Sequence, residues 1–355
     1  MFPRQLRSPD STFFLFGPRG TGKTTWIKQR FPDTPRYDLL RSTERIRLSG
    51  NPGAFGDECD AVPRRDWVVL DEVQKVPALL DEVQRLIVDR SQRFVLCGSS
   101  ARKLRRGGAN LLAGRAEVRH LFPFVSIEID DQRNLEEILR HGMLPLAVQS
   151  DRPRSFLKAY VQTYLNEEIQ AEALVRQIGG FARFLEVAAR VNGQSVNVSS
   201  VSRDAAVARQ TVQGYFQILV DTLLGYWLPT WKLKRSVKQV MLPKFYLFDS
   251  GVARELAGLG HLQVHPEERG FLLETYLLHE VRAYLHYREL DYPMFYWRTH
   301  EGTEVDLVVE TPQGIVALEI KSADRWERRF GNGLQRFRRE LEDRPVELLG
   351  VFLGE

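Results

Sequence analysis

Residues Thr12 to Thr25 constrain what this chain can fold into more than any other stretch. Thr12-Phe-Phe-Leu-Phe16 is short and continuously apolar, as a buried strand should be. It runs without a spacer into Gly17-Pro18-Arg19-Gly20-Thr21-Gly22-Lys23-Thr24-Thr25, which fits the pattern G-x-x-x-x-G-K-[ST] in full. Glycines let the backbone curl until its N–H groups converge, and a helix opening near Lys23 adds the positive end of its dipole at the same point. Such a loop is shaped for phosphate oxygens. Lys23 would reach the outer two phosphates of a nucleotide, and the Thr24 hydroxyl would ligate Mg²⁺. A chance glycine turn would also have to explain the strand before it and the helix after it.

The next apolar runs extend the pattern. Tyr37–Leu40, Trp67–Leu70 and Phe94–Cys97 read as further strands, and a helix is expected from Pro77, with Leu79, Leu80, Val83, Leu86 and Ile87 at helical spacing. Alternating strands and helices predict an α/β domain with a parallel sheet over residues 1–125. Trp67–Leu70 ends in Asp71-Glu72, at the carboxyl end of a strand, where α/β sheets place ligands. Asp71 is the expected Mg²⁺ partner, and Glu72 is placed to orient or deprotonate a water. The Phe94 run ends in Gly98-Ser99-Ser100, where a hydroxyl, Ser99 foremost, could touch the last phosphate or serve only as a turn. Arg115, after Gly114, reads either as an arginine finger or as a plain surface arginine.

The order of phosphate loop, Asp-Glu-Val-Gln, Gly-Ser-Ser and Leu-Ala-Gly-Arg resembles the AAA+-type ATPases of a large prokaryotic family that carry a C-terminal domain of largely unassigned function. The resemblance implies ATP and ADP as ligands, with Mg²⁺, and agrees with the lack of an Asn-Lys-x-Asp guanine-reading motif. It also implies ring or dimer assembly, with Arg115 acting on a neighbour's nucleotide. No helical-lid arginine of the second sensor type can be placed.

A length of 355 residues exceeds one ordinary core and suits several domains. A helical, polar linker or lid is expected over residues 126–180, with Phe156, Tyr160, Tyr164 and Ile169 spaced to pack against another layer. Residues 181–260 read as three helices and a hairpin. Val198–Ala208 and Gln210–Leu224, with a turn near Arg209, have helix-turn-helix spacing. Val201, Ala205, Val207, Val212, Phe216 and Leu219 are placed to pack one helix across the other. The runs Tyr226–Arg235 and Lys244–Asp249 would form a wing, and the family resemblance supports a winged helix. Arg203, Arg209, Gln210 and Gln213 are its candidate DNA contacts, against the reading that the unit is a protein–protein spacer.

Residues 261–355 are expected to give a long helix, three strands and a final basic helix. Asp306 and Ala317-Leu-Glu319-Ile-Lys321 fall in strand-like runs joined through Thr311-Pro-Gln-Gly314, and Glu319 and Lys321 share one strand face. Two acids and a lysine on adjoining strands can hold Mg²⁺ against a phosphodiester. The set Asp306, Glu319 and Lys321, with Glu274 as a fourth member on the preceding helix, resembles the PD-(D/E)xK nucleases, a restriction-endonuclease-like α/β fold. The alternatives are exposed strand charges, or a nuclease-like fold that does not cut.

Charge and cysteine content close the reading. Net charge is only +4, but basic residues gather at Arg102–Arg106, Lys232–Lys238 and Arg325–Arg339, which are candidate phosphate-backbone contacts or merely solvated faces. Two cysteines, Cys59 and Cys97, argue against a disulfide framework, and no run is apolar enough for a membrane span or secretory signal. The expectation is a cytoplasmic, nucleotide-driven protein acting on DNA, or a regulatory switch that binds a partner without cleavage.

Overall fold

Strand β1 (Phe13–Phe16) is buried at all four positions, which is the pattern of a parallel strand covered on both faces. In the computed structural model, residues 2–99, 112–129, 133–165, 178–232, 242–341 and 344–354 are described. The chain divides into one unit of Met1–Phe124 with Asp221–Leu223, and a second of Val125–Val220 with Leu224–Glu355.

In the first unit β1 leads through the glycine loop into α1 (Lys23–Arg30), then β2 (Arg36–Asp38), α2 (Ser42–Gly50), α3 (Pro52–Asp60), β3 (Trp67–Asp71), α4 (Leu79–Arg90), β4 (Arg93–Gly98) and β5 (Glu117–His120). The strands form one parallel sheet in the order β2-β3-β4-β1-β5. The four expected strands are present with small shifts in their ends. The edge strand β5 was not anticipated, because Glu117 and Arg119 break its apolar pattern. Helix α4 begins at Leu79 rather than Pro77, with the Leu80 amide donating to the Pro77 carbonyl at 3.0 Å in the turn ahead of it. It buries Leu79, Leu80, Val83 and Leu86 in a core that includes Phe14, Phe16, Leu70 and Leu96. Cys59 and Cys97 are buried free thiols.

The second unit opens with α5 (Ser126–Ile129), α6 (Leu135–His141), α7 (Pro145–Gln149) and α8 (Pro153–Ala159), the last continuing into a π-helical stretch over Tyr160–Leu165. Phe156 and Tyr160 pack on the core as expected; the Tyr164 side chain and Ile169 lie outside the described residues. Helices α9 (Ile178–Arg190), α10 (Val198–Asp204) and α11 (Arg209–Asp221) follow, then an antiparallel hairpin of β6 (Gly225–Leu228) and β7 (Lys244–Leu247), and α12 (Ser250–Leu256). Val201, Ala205, Val212, Phe216 and Leu219 share one core, with Val207 packed at its margin. Helix α10 stops at Asp204, earlier than the sequence implied, and Ala206 takes a left-handed conformation in the turn. Helix α11 then opens at Arg209, the residue expected in the turn itself. Asn197 caps α10 by accepting from the Ser199 and Ser200 amides.

The chain ends with α13 (Pro266–Tyr287), β8 (Met294–Arg298), β9 (Glu304–Thr311), β10 (Gly314–Lys321), α14 (Asn332–Glu340) and β11 (Val346–Phe352). These strands form a mixed sheet in the order β11-β10-β9-β8, with β11 parallel to β10 and the other pairs antiparallel. The expected basic helix is α14, and a fourth strand, not anticipated, follows it. Strand β11 is at the sheet edge and only half-buried, so its pattern carries no clean alternation. The turn between Thr311 and Gly314 joins β9 to β10 as expected. Among the described residues no helix is long and apolar enough to cross a membrane.

Candidate functional site

The glycine loop leaves β1 where Gly17 runs against the chain beyond β5: a Cβ at Gly17 would lie 2.3 Å from the Leu121 carbonyl oxygen. Gly22, at φ 90°, stands in the left-handed region at the entrance to α1. No side chain caps α1, so its first amides keep their donor capacity for an anion. The Thr21 hydroxyl donates to the Pro18 carbonyl at 2.9 Å and ties the loop to itself. Lys23 is buried and donates to the carbonyls of Gly17 at 2.7 Å and Pro18 at 3.1 Å. Its ammonium therefore sits inside the curl that a phosphate would share. Arg19, Thr24 and Thr25 are exposed and Gly20 is partly so. Arg4 braces the loop from the N-terminal segment, donating to Thr21 at 3.0 Å and to the Phe122 carbonyl. Nothing in its sequence context marks it for that task.

Beside the loop, at the end of β3, the Thr24 hydroxyl donates to Asp71 Oδ2 at 3.1 Å. An alcohol and a buried carboxylate meeting there are the oxygen donors that Mg²⁺ takes, with its remaining positions left to water and phosphate. Glu72 follows with φ 61°, a conformation that costs a non-glycine residue energy and turns the chain out of the strand. Burial pushes its carboxyl up, opposed by the positive charge of Lys23 and by hydrogen bonding from Gln74. Gln74 donates to Glu72 Oε2 at 2.6 Å and lies 3.4 Å from Ser99 Oγ. In the sequence it is only the last residue of Asp-Glu-Val-Gln. Ser100 and the basic run Arg102–Arg106 lie outside the described residues, and Arg115 is exposed just after the turn Leu112–Gly114.

In the C-terminal sheet Asp306 on β9 and Glu319 and Lys321 on β10 do converge. Asp306 Oδ2 accepts from the Ile320 amide at 2.7 Å and lies 3.8 Å from Lys321 Nζ, which also pairs with Glu319. Glu319 Oε2 is buried with no partner among the described residues. Burial, then the charge of Asp306, pushes the Glu319 carboxyl up to about 8. Glu274 on α13 feels the charge of Asp306 and is paired as well: Lys244, from hairpin strand β7, binds it at 2.8 Å and Glu304 at 2.6 Å, and the Tyr246 hydroxyl donates to it. Burial raises the Glu274 carboxyl to about 7. Lys244 had been read only as part of a wing strand. Among the described residues no group of three or more His, Cys, Asp or Glu side chains is arranged to hold a metal ion. The carboxylates expected as metal ligands are paired with Lys244 and Lys321, while Glu319 Oε2 keeps no partner among the described residues.

Arg203 on α10, and Arg209, Gln210 and Gln213 on α11, are all exposed. Of the run Lys232–Lys238, residues 233–238 lie outside the described residues.

Residues 10–129 match the family described as an AAA domain. Residues 132–263 match a domain of unknown function (DUF8612) and residues 269–355 another (DUF4143). Uncharacterized proteins of Mycobacterium tuberculosis and Mycobacterium bovis are each 26% identical over 317 residues, covering 86% of this chain and 69% of the relative. An uncharacterized protein of Haemophilus influenzae is 24% identical over 210 residues, covering 54% of this chain and 52% of that protein. Among solved structures, a Signal Transduction ATPase with Numerous Domains (STAND) protein with a tetratricopeptide repeat sensor, from Pyrococcus horikoshii, is 12% identical with a TM-score of 0.23. That alignment covers 82% of this chain but 49% of the other, so the chain spans about half that structure's length, and the likeness is too weak to argue from. The family match, the parallel sheet and the phosphate-loop sequence make residues 10–129 a P-loop domain of the AAA type.

Proposed function

We propose that this chain binds ATP with Mg²⁺ through Gly17–Thr25 and Asp71 and hydrolyses it with Glu72 as the water-orienting base. The observation that supports this most is the 3.1 Å contact of Thr24 with Asp71 beside a loop that already encloses a buried lysine. Lys23 would exchange its two carbonyl partners for the β- and γ-phosphates. Thr24 and Asp71 would hold the metal, which supplies charge neutralisation across those phosphates. Glu72, raised by burial, is suited to take a proton from water and keep the base close to the attack line. The Ser99 hydroxyl would donate to the outermost phosphate, and Arg115 would complete a neighbouring copy's site in a homo-oligomer.

Lys23→Ala is expected to lose tight binding of a labelled adenine nucleotide, whereas Glu72→Gln should bind it as the parent does and turn over about 10²-fold more slowly or worse. Comparable turnover in both variants and the parent would sink the assignment.

The proposed domains are residues 1–125, 126–180, 181–260 and 261–355. Helices α9 to α11 with the β6–β7 hairpin have the make-up of a winged helix, and the exposure of Arg203, Arg209, Gln210 and Gln213 supports docking on DNA. The helix, four-stranded mixed sheet and converging Asp306, Glu319 and Lys321 support a restriction-endonuclease-like last domain. For that centre, metal-dependent cleavage and recognition without cleavage compete. The occupation of its acids by Lys244 and Lys321 favours the second. ATP would then set a conformation, and the C-terminal part would hold DNA without cutting it.

A further inference from the structure

We infer that Gln74 is a positioning residue that ties recognition of the outermost phosphate at Ser99 to the orientation of Glu72, an inference that rests on the ATPase reading. Three observations carry it. Gln74 is buried at 7% exposure in the turn that follows Asp71-Glu72. Its one amide nitrogen faces both partners, Glu72 Oε2 at 2.6 Å and Ser99 Oγ at 3.4 Å, so its two hydrogens serve one residue each. Its amide oxygen lies where Gly98 has no side chain, and a Cβ there would come within 2.3 Å of it. The oxygen has no hydrogen-bond partner among the described residues.

The hydrogen-bond directions follow from donor and acceptor capacity. An amide NH₂ only donates, so Ser99 Oγ accepts from Gln74, and the hydroxyl proton must point away from the amide. That proton is then available to a phosphate oxygen. Glu72 accepts on Oε2 alone from Gln74, so Oε1 remains for the attacking water. A base left to itself on a short side chain would sample several rotamers, and a 1 Å misplacement can cost about 10²-fold in rate. Movement of Ser99 toward a phosphate passes through one shared nitrogen to Glu72. The same bridge can thereby distinguish a triphosphate from a diphosphate at the base.

The test compares Gln74→Met, of similar size but unable to donate, with Ser99→Ala and with the double variant, all in the full chain. Expected for Gln74→Met is kcat lowered about 10- to 100-fold, with KM for ATP within about threefold of the parent. The double variant should be no slower than the slower single one, since both changes break one bridge. Gly98→Ala, which crowds the amide oxygen, should reproduce the phenotype with Gln74 intact. The ¹⁵N-labelled side-chain amide of Gln74, identified by its loss in Gln74→Met, reads the same bridge without turnover and should shift in both Glu72→Gln and Ser99→Ala. A Gln74 side-chain amide left unmoved by Glu72→Gln and Ser99→Ala, or multiplicative losses in the double variant, overturns the inference. If the parent binds MgATP without hydrolysing it, the ATPase reading fails by itself. The Gln74 amide signal then still decides whether Gln74 holds Glu72.

Discussion

Single carboxyls in this protein are governed by what burial leaves around them. Asp71 meets an alcohol, Glu72 an amide and a nearby ammonium, and Glu319 a lysine on one oxygen and, among the described residues, nothing on the other. Burial raises the Glu319 carboxyl to about 8, where an unfolded glutamate ionises near 4.5. Its contribution to folding is therefore complete below about pH 4.5 and disappears as the pH climbs through about 8. Glu319→Gln, neutral throughout, should gain on the parent as the solution goes from pH 5 to pH 9, by a Tm difference of about 2–4 °C. A Tm difference that is flat or reversed over that span would show Glu319 to be ionised at low pH. At the same scale, Lys23, Thr24, Asp71 and Glu72 were legible because their chemistry is packed into two short motifs. Gln74 was not, since its meaning depends on Ser99 arriving from β4.

Elements here obey their local patterns until a cap or an edge intervenes. The strand preceding the glycine loop and the Thr311–Gly314 turn were readable because apolar runs and turn residues act over a few positions. Helix α10 ended early because a left-handed residue at Ala206, visible only in the backbone, closes it. Strands β5 and β11 escaped notice for a common reason: both are sheet edges, where one side faces water and mixed composition is tolerated. Between α9, α11 and the hairpin, Phe216 is the residue on which the packing turns. Its ring centroid lies 4.8 Å from Phe184, 4.9 Å from Trp227 and 4.8 Å from Phe245. Phe216→Ala should cost about 3–5 kcal/mol in denaturant unfolding. A loss under about 1 kcal/mol would mean that these elements do not depend on that cluster.

Across the whole molecule, each unit has a core of its own, centred in the first on Phe14, Leu70 and Leu96 and in the second on Phe184, Phe216 and Phe245. The second unit also brings the hairpin's Lys244 onto Glu274 of α13 and Glu304 of β9. With the acids so occupied, branched, linear and plasmid DNA should stay intact with Mg²⁺ or Mn²⁺, and cutting that Glu319→Ala abolishes would overturn the non-cleaving reading. DNA affinity should fall steeply with salt, and Arg203→Ala and Arg209→Ala should each weaken it and flatten the slope by about one phosphate contact. A flat salt dependence would move the partner from DNA to protein.

From sequence alone came the glycine loop, the acidic strand end, the helix-turn-helix spacing and the Asp306, Glu319 and Lys321 set, because each is written in residues close along the chain or in a fixed alternation. Only the tertiary structure placed Gln74 between Glu72 and Ser99, Arg4 against the loop, and Lys244 on Glu274 and Glu304. Those pairings join residues that local periodicity treats as unrelated. They arise when burial removes water from polar groups and obliges each to find a partner wherever the folded chain has brought one.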